Sequence, residues 1–141
     1  MLSNACRYVI KALVYLAMQE EGDFKPLQEI SAEMEIPRHF LSKILRPLVE
    51  RGWLESSRGP SGGLHLARPP SEITVRAVIE EVDGTELFEE CLLGLPGCGE
   101  AEPCPLHETW RPVKNRLRGE LRETTIADLA RDVEAAAIRL S

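Results

Sequence analysis

Aromatic residues are scarce: two Trp, two Tyr and three Phe make up 5% of the 141 residues. Any core must therefore be packed mainly from aliphatic side chains. No apolar run approaches the roughly 18 residues of a membrane span. The best N-terminal candidate, residues 9–18, is short and broken by Lys11, so no signal peptide is expected and the cytoplasm is the expected location. There is no lipidation motif, internal repeat or low-complexity tract. No nucleophile, base and orienting residue stand in a recognisable set, so a hydrolytic enzyme is not expected. Closely spaced cysteine pairs of the kind that hold structural zinc are also missing.

What is present fits a globular chain. With 43% hydrophobic and 28% charged residues, a core can be buried within one domain or a compact domain with an arm. The net charge of −6 argues against nucleic acid only as an average. Residues 1–70 carry 9 Lys and Arg against 8 Asp and Glu, whereas residues 71–141 carry 8 against 15. Within residues 36–68 six basic side chains face two acidic ones. A local cationic patch attracts phosphate even on an acidic protein, because salt screens charges beyond about 10 Å.

Apolar periodicity places a first helix at residues 4–19 and a second at 27–34. Pro37 opens a third, with Phe40, Leu41, Ile44, Leu45 and Leu48 as its apolar stripe. Arg38, His39, Ser42, Lys43 and Arg46 form the opposite face. Pro47 is expected to kink or end that helix. Two short strands, 53–57 and 64–67, flank the tip Arg58-Gly59-Pro60-Ser61-Gly62-Gly63. Thr74 caps a helix over 75–82. Residues 91–104 read as loop. A long helical stretch follows, its Trp110, Val113, Leu117 and Leu121 in helical register, with a kink expected at Pro112. Thr125 and Asp128 form a capping-box pattern for a last helix over 126–140.

The fold class expected is mainly α with a small β-hairpin: a winged helix-turn-helix over residues 1–70, then residues 71–141 with a cysteine loop at about 89–107 and a long C-terminal dimerisation helix. A recognition helix needs one face for the core and one for the major groove, and residues 37–48 supply both. Arg38, Lys43 and Arg46 suit phosphates or guanine edges, and His39 and Ser42 can add hydrogen bonds. Arg58 at a Gly/Pro tip suits a neighbouring groove. Taken singly, such a face is commonly just solvated and such a tip just a turn; their order favours double-stranded DNA.

Three of four cysteines cluster as Cys91-x6-Cys98-x5-Cys104, with His107 three residues on. Soft thiolates select iron–sulfur clusters, zinc or copper(I). The wide spacing favours iron–sulfur over zinc. His107 is the nearest fourth ligand; Glu89, Glu90, Cys6 or a second subunit are alternatives. Cys6, on the first helix, reads more simply as a small packed residue.

Together these residues resemble the Rrf2 family of bacterial transcription regulators, which includes cluster sensors of iron–sulfur biogenesis and of nitric oxide stress. The resemblance rests on Ala5-Cys6-Arg7-Tyr8, on residues 36–45, on the tip from Arg58 to Gly63, and on Cys98 with Pro103-Cys104-Pro105-Leu106-His107. It implies a homodimer on promoter DNA, with Arg38, His39, Ser42, Lys43, Arg46, Arg58, Gly59, Pro60, Ser61 and Gly62 towards the duplex. It also implies a 2Fe–2S or 4Fe–4S cluster on Cys91, Cys98 and Cys104, with His107 at the spacing of the biogenesis regulator's fourth ligand. Some members take an acidic ligand from the first helix, where this chain has Cys6 and Arg7. Some carry a glutamate on the recognition helix, where this chain has Ser42. Two rival readings are a cluster-free regulator sensing thiol oxidation or a small metabolite, and an iron–sulfur redox protein.

Overall fold

The computed structural model describes residues 1–141. It contains seven helices and one hairpin: α1 Asn4–Ala17, α2 Leu27–Met34, α3 Arg38–Glu50, β1 Leu54–Ser57, β2 Gly63–Leu66, α4 Val75–Asp83, α5 Glu86–Glu89, α6 His107–Glu123 and α7 Ile126–Ala136. A 3-10 turn, Pro70–Glu72, precedes α4.

α1 is the hub. Ser3 caps it, its hydroxyl accepting the Cys6 N–H at 3.0 Å, which satisfies one of the amides a helix start leaves free. Val9, Ala12, Leu13 and Leu16 are buried among α2, α3, α4, α7 and β2. The helix stops at Ala17 rather than Gln19, with Met18 as its cap. α2 spans the residues its periodicity predicts and closes on Glu35, which takes the left-handed conformation at φ 53°.

α3 continues through Pro47 to Glu50, so the proline does not end it. Proline removes its own N–H bond and its ring crowds the carbonyl four residues before it, but the rest of the ladder can persist. The Pro47 carbonyl still accepts the Arg51 N–H at 3.0 Å, and the adjacent Leu48 is fully buried. Leu41 and Leu45 complete the docked face, and Tyr8 meets Phe40 edge to face at 5.9 Å.

The hairpin pairs Leu54 with Leu66, Glu55 with His65, Ser56 with Leu64 and Ser57 with Gly63. Leu54 and Leu64 share the buried face. On the other face His65 binds Glu55 at 2.8 Å and stacks on Phe24, so it is half-buried. β2 is pinned near the hairpin tip to the α1–α2 loop by Lys25 and Leu64, whose backbones exchange bonds of 2.9 and 2.8 Å. Glycine is required here: a Cβ on Gly63, at φ 145°, would strike the Lys25 carbonyl, and one on Gly62 would strike that of Ser57.

A second cluster joins Cys6, Val75, Ile79 and Phe88. α7 begins with the capping box expected of Thr125 and Asp128. It ends at Ala136 rather than Leu140, because Ala137 turns left-handed and the Ile138 N–H returns to Val133. The Thr125 amide, then its hydroxyl, hold the Asp128 carboxyl below its ordinary range. The cap therefore contributes stability above about pH 4 that is lost as pH falls through the lowered value. Thr125→Ala is expected to cost about 1 kcal/mol, and Asp128→Asn to flatten the acid limb of the stability profile. Thermal unfolding between about pH 7 and pH 3 measures both; wild-type midpoints and slopes in the variants would remove this role.

Candidate DNA-reading face and cysteine site

The outer face of α3 carries Arg38, His39, Lys43 and Arg46, all exposed, with Ser42 partly covered. Beside it stands the hairpin tip, where Arg58, Gly59, Pro60 and Ser61 are exposed and Gly62 is buried. The Gly62 N–H closes the tip onto the Gly59 carbonyl at 2.9 Å. A groove between the two elements is lined by Ser42, Arg46, Ser57 and Arg58. Arg38, Lys43, Arg46 and Arg58 have no carboxylate partner, whereas Arg51, Arg68 and Arg76 pair with Glu81, Glu72 and Glu80. Four unpaired cations on one surface can take up phosphate oxygens without first breaking an ion pair.

The cysteine loop leaves α5 and returns at the start of α6. Its position is set by three α6 side chains that donate to consecutive carbonyls at the end of α5: Arg118 to Phe88, Lys114 to Glu89 and Trp110 to Glu90. These are acceptors that a helix end leaves free. Cys91 follows directly, so its place relative to His107 is fixed. The sulfurs of Cys91, Cys98 and Cys104 all lie within 4.8 Å of one another, those of Cys91 and Cys104 at 3.4 Å. His107 Nδ1 lies 3.5 Å from Cys98 Sγ, which also accepts the Cys104 N–H at 3.3 Å. The three cysteines are therefore brought together, and His107 joins them through Cys98 while its ring also lies beside Glu100 and Glu108. The other candidate ligands, Cys6, Glu89 and Glu90, do not join them. Cys6 is fully buried, and burial, then the Asp83 charge, push its thiol up to about 12.

The loop environment splits its thiols. The Leu95 amide, opposed by desolvation and helped by that of Leu93, holds Cys91 down at about 7. Cys98 receives the Cys104 amide, which lowers it, but desolvation and the Cys104 and Cys91 thiols raise it overall. A thiolate is the metal-binding form, and amides aimed at sulfur stabilise it. The sequence reading overlooks Glu100, which accepts from His107 Nε2 at 3.3 Å and from Arg111 at 3.0 and 3.1 Å. Arg111, then His107, hold its carboxyl below the ordinary range. No spacing rule points to it; only the folded loop turns it onto the histidine.

The stripe on α6 is divided. Leu117 and Leu121 pack against Cys6, Val75, Ile79 and Phe88 of the same chain. Trp110 is tied to Glu90, and Val113 stands 50% exposed. No residue of this 17-residue helix is buried.

A family model described as an iron-dependent transcriptional regulator, Rrf2, matches residues 2–132. The chain belongs to the Rrf2 family. Among its relatives, the HTH-type transcriptional regulator IscR of Serratia proteamaculans (strain 568) is 31% identical over 97% of this chain and 83% of its own. CymR, the global cysteine regulator of B. subtilis, superposes with a TM-score of 0.79 at 26% identity, covering 93% of this chain and 96% of that one. IscR of T. potens superposes with 0.76 at 25% identity, covering 98% and 91%. As an Rrf2 protein the chain is a winged-helix transcription regulator and not an enzyme, and no helix is long and apolar enough to cross a membrane.

Proposed function

We propose that this Rrf2 regulator binds operator DNA as a homodimer, with its grip set by an iron–sulfur cluster on Cys91, Cys98, Cys104 and His107. The observation that carries the reading is the convergence of three sulfurs from a 14-residue loop, with the imidazole of the first residue of α6 beside one of them. The donor set fits the group: three soft thiols with amides directed at sulfur, in a loop rich in glycine and proline. The iron-dependent description of the family supports it. The cluster would supply redox-labile iron, of either the 2Fe–2S or the 4Fe–4S kind.

Residues 1–70 act as the reading unit and residues 71–141 as the sensing and pairing unit. Arg38, His39, Ser42, Lys43 and Arg46 face the major groove, and Arg58 to Gly62 an adjacent one. Val113 and the uncovered edges of Trp110, Leu117 and Leu121 meet a second copy; a long helix with no buried residue supports this. Two half-sites lie about 34 Å apart. With Cys91 after α5 and Cys104 and His107 at α6, tying them together stiffens the joint between the reading unit and the pairing helix. A ligand that binds one pose of that joint more tightly shifts the balance towards it.

A second reading, a cluster-free regulator that responds to thiol oxidation, is favoured by the 3.4 Å between Cys91 and Cys104. Anaerobic isolation decides between the two. Brown protein containing iron and acid-labile sulfide, whose operator affinity changes on chelation, is expected. Colourless, iron-free protein with unchanged affinity would leave the second reading.

A further inference from the structure

The three sulfurs of the site lie close enough to share one metal ion, with the His107 imidazole beside one of them. A single four-coordinate zinc ion holds sulfurs at about 2.3 Å, which places two of them about 3.8 Å apart. Here three sulfurs lie within 4.8 Å of one another, the closest pair at 3.4 Å, with an imidazole nitrogen 3.5 Å from one of them. Three cysteines and one histidine are also an established zinc donor set.

The surroundings of His107 support the same occupant. Glu100 faces Nε2 at 3.3 Å, a partner that favours the proton on Nε2 and so leaves the Nδ1 lone pair for a metal beside Cys98. Arg111 grips both Glu100 oxygens and orients the carboxylate. A carboxylate behind a ligating histidine fixes its tautomer and orientation and strengthens its metal bond. The Cys104 amide on Cys98 Sγ adds a donor that stabilises thiolate charge. His107 itself is largely shielded, its side chain 11% exposed.

We propose that Cys91, Cys98, Cys104 and His107 also form a single-ion site for zinc, with Glu100 as the residue that positions His107, so that zinc and the cluster are mutually exclusive occupants. The inference rests on the ligand set of the cluster reading and not on the cluster itself. Binding releases the thiol protons to solvent and needs no redox partner.

The test uses the full chain, stripped by chelator under reductant and titrated without oxygen with Co²⁺ as a spectroscopic probe. One Co²⁺ per chain is expected, with the strong visible bands of four-coordinate cobalt and thiolate charge transfer, bleached by one equivalent of Zn²⁺. His107→Ala is expected to change the band positions. Glu100→Gln, at an exposed position, is expected to keep them while weakening Zn²⁺ binding by about 10- to 100-fold. A weak six-coordinate spectrum, a stoichiometry other than one, or wild-type zinc affinity in Glu100→Gln overturns the inference. Iron and sulfide counts on anaerobically isolated protein separate the two readings. Clustered protein that fails the cobalt titration loses only the zinc site, and cobalt binding by protein that never carries iron or sulfide loses only the cluster.

Discussion

Cys98→Ala is expected to abolish the visible absorbance of anaerobically isolated protein. Cys98 is the sulfur at the centre of the site: it meets His107 Nδ1 at 3.5 Å and receives the Cys104 amide at 3.3 Å. Its removal leaves two thiols and an imidazole, one donor short of four. The loop is solvent-facing, with Leu92, Leu93 and Leu95 about half exposed, so the substitution opens no core cavity and the fold should survive. Iron and sulfide per chain are expected to fall to background, and operator affinity to match that of chelated wild type. A variant that keeps full iron and sulfide would remove Cys98 from the ligand set. Cys6 offers the contrast. It lies in the apolar cluster with Val75, Ile79 and Phe88, so its replacement should lower stability while leaving the colour.

Arg58→Ala is expected to weaken operator binding by about 1–3 kcal/mol, roughly 5- to 150-fold, if the guanidinium reads a base edge. Arg58 stands exposed at the hairpin tip without a carboxylate partner, and the tip is held by the Gly62–Gly59 bond and by the Lys25–Leu64 pairing beside it. A rigid mount matters, because ordering a loose arginine on binding would cost conformational entropy. If it meets only phosphate, the loss should instead be uniform across sequences, with a salt slope lower by about one. Titration of operator and scrambled duplex at several salt concentrations distinguishes these outcomes, and unchanged affinity at every salt concentration would remove the wing from the contact. Arg51→Ala is the control. Its guanidinium is paired with Glu81 at 3.1 Å, and little change is expected.

Local chemistry was legible wherever one residue type carries one physical role. The α2 limits, the Thr74 and Thr125 caps and the hairpin follow from capping hydroxyls, apolar periodicity and a glycine-rich tip. Pro47 shows the limit of such rules. The missing N–H is a local cost, but the burial of Leu48 is a tertiary gain, and the gain kept α3 whole. The α6 stripe shows it differently. Period alone cannot say which neighbour covers Leu117 and Leu121, and here α4 and α5 of the same chain cover them.

By itself the sequence determined the chemical vocabulary of this protein: a cationic helix face, an arginine-tipped turn, and three thiols with a histidine three residues on. These depend on residue type and short spacing, which are one-dimensional properties. Tertiary structure alone decided that the Cys91 sulfur meets that of Cys104 from 13 residues away, that Glu100 braces His107, and that Arg118, Lys114 and Trp110 clamp the end of α5. Those contacts arise because packing α6 against α4 and α5 brings distant side chains to free backbone and thiol partners, and no sequence interval encodes that distance.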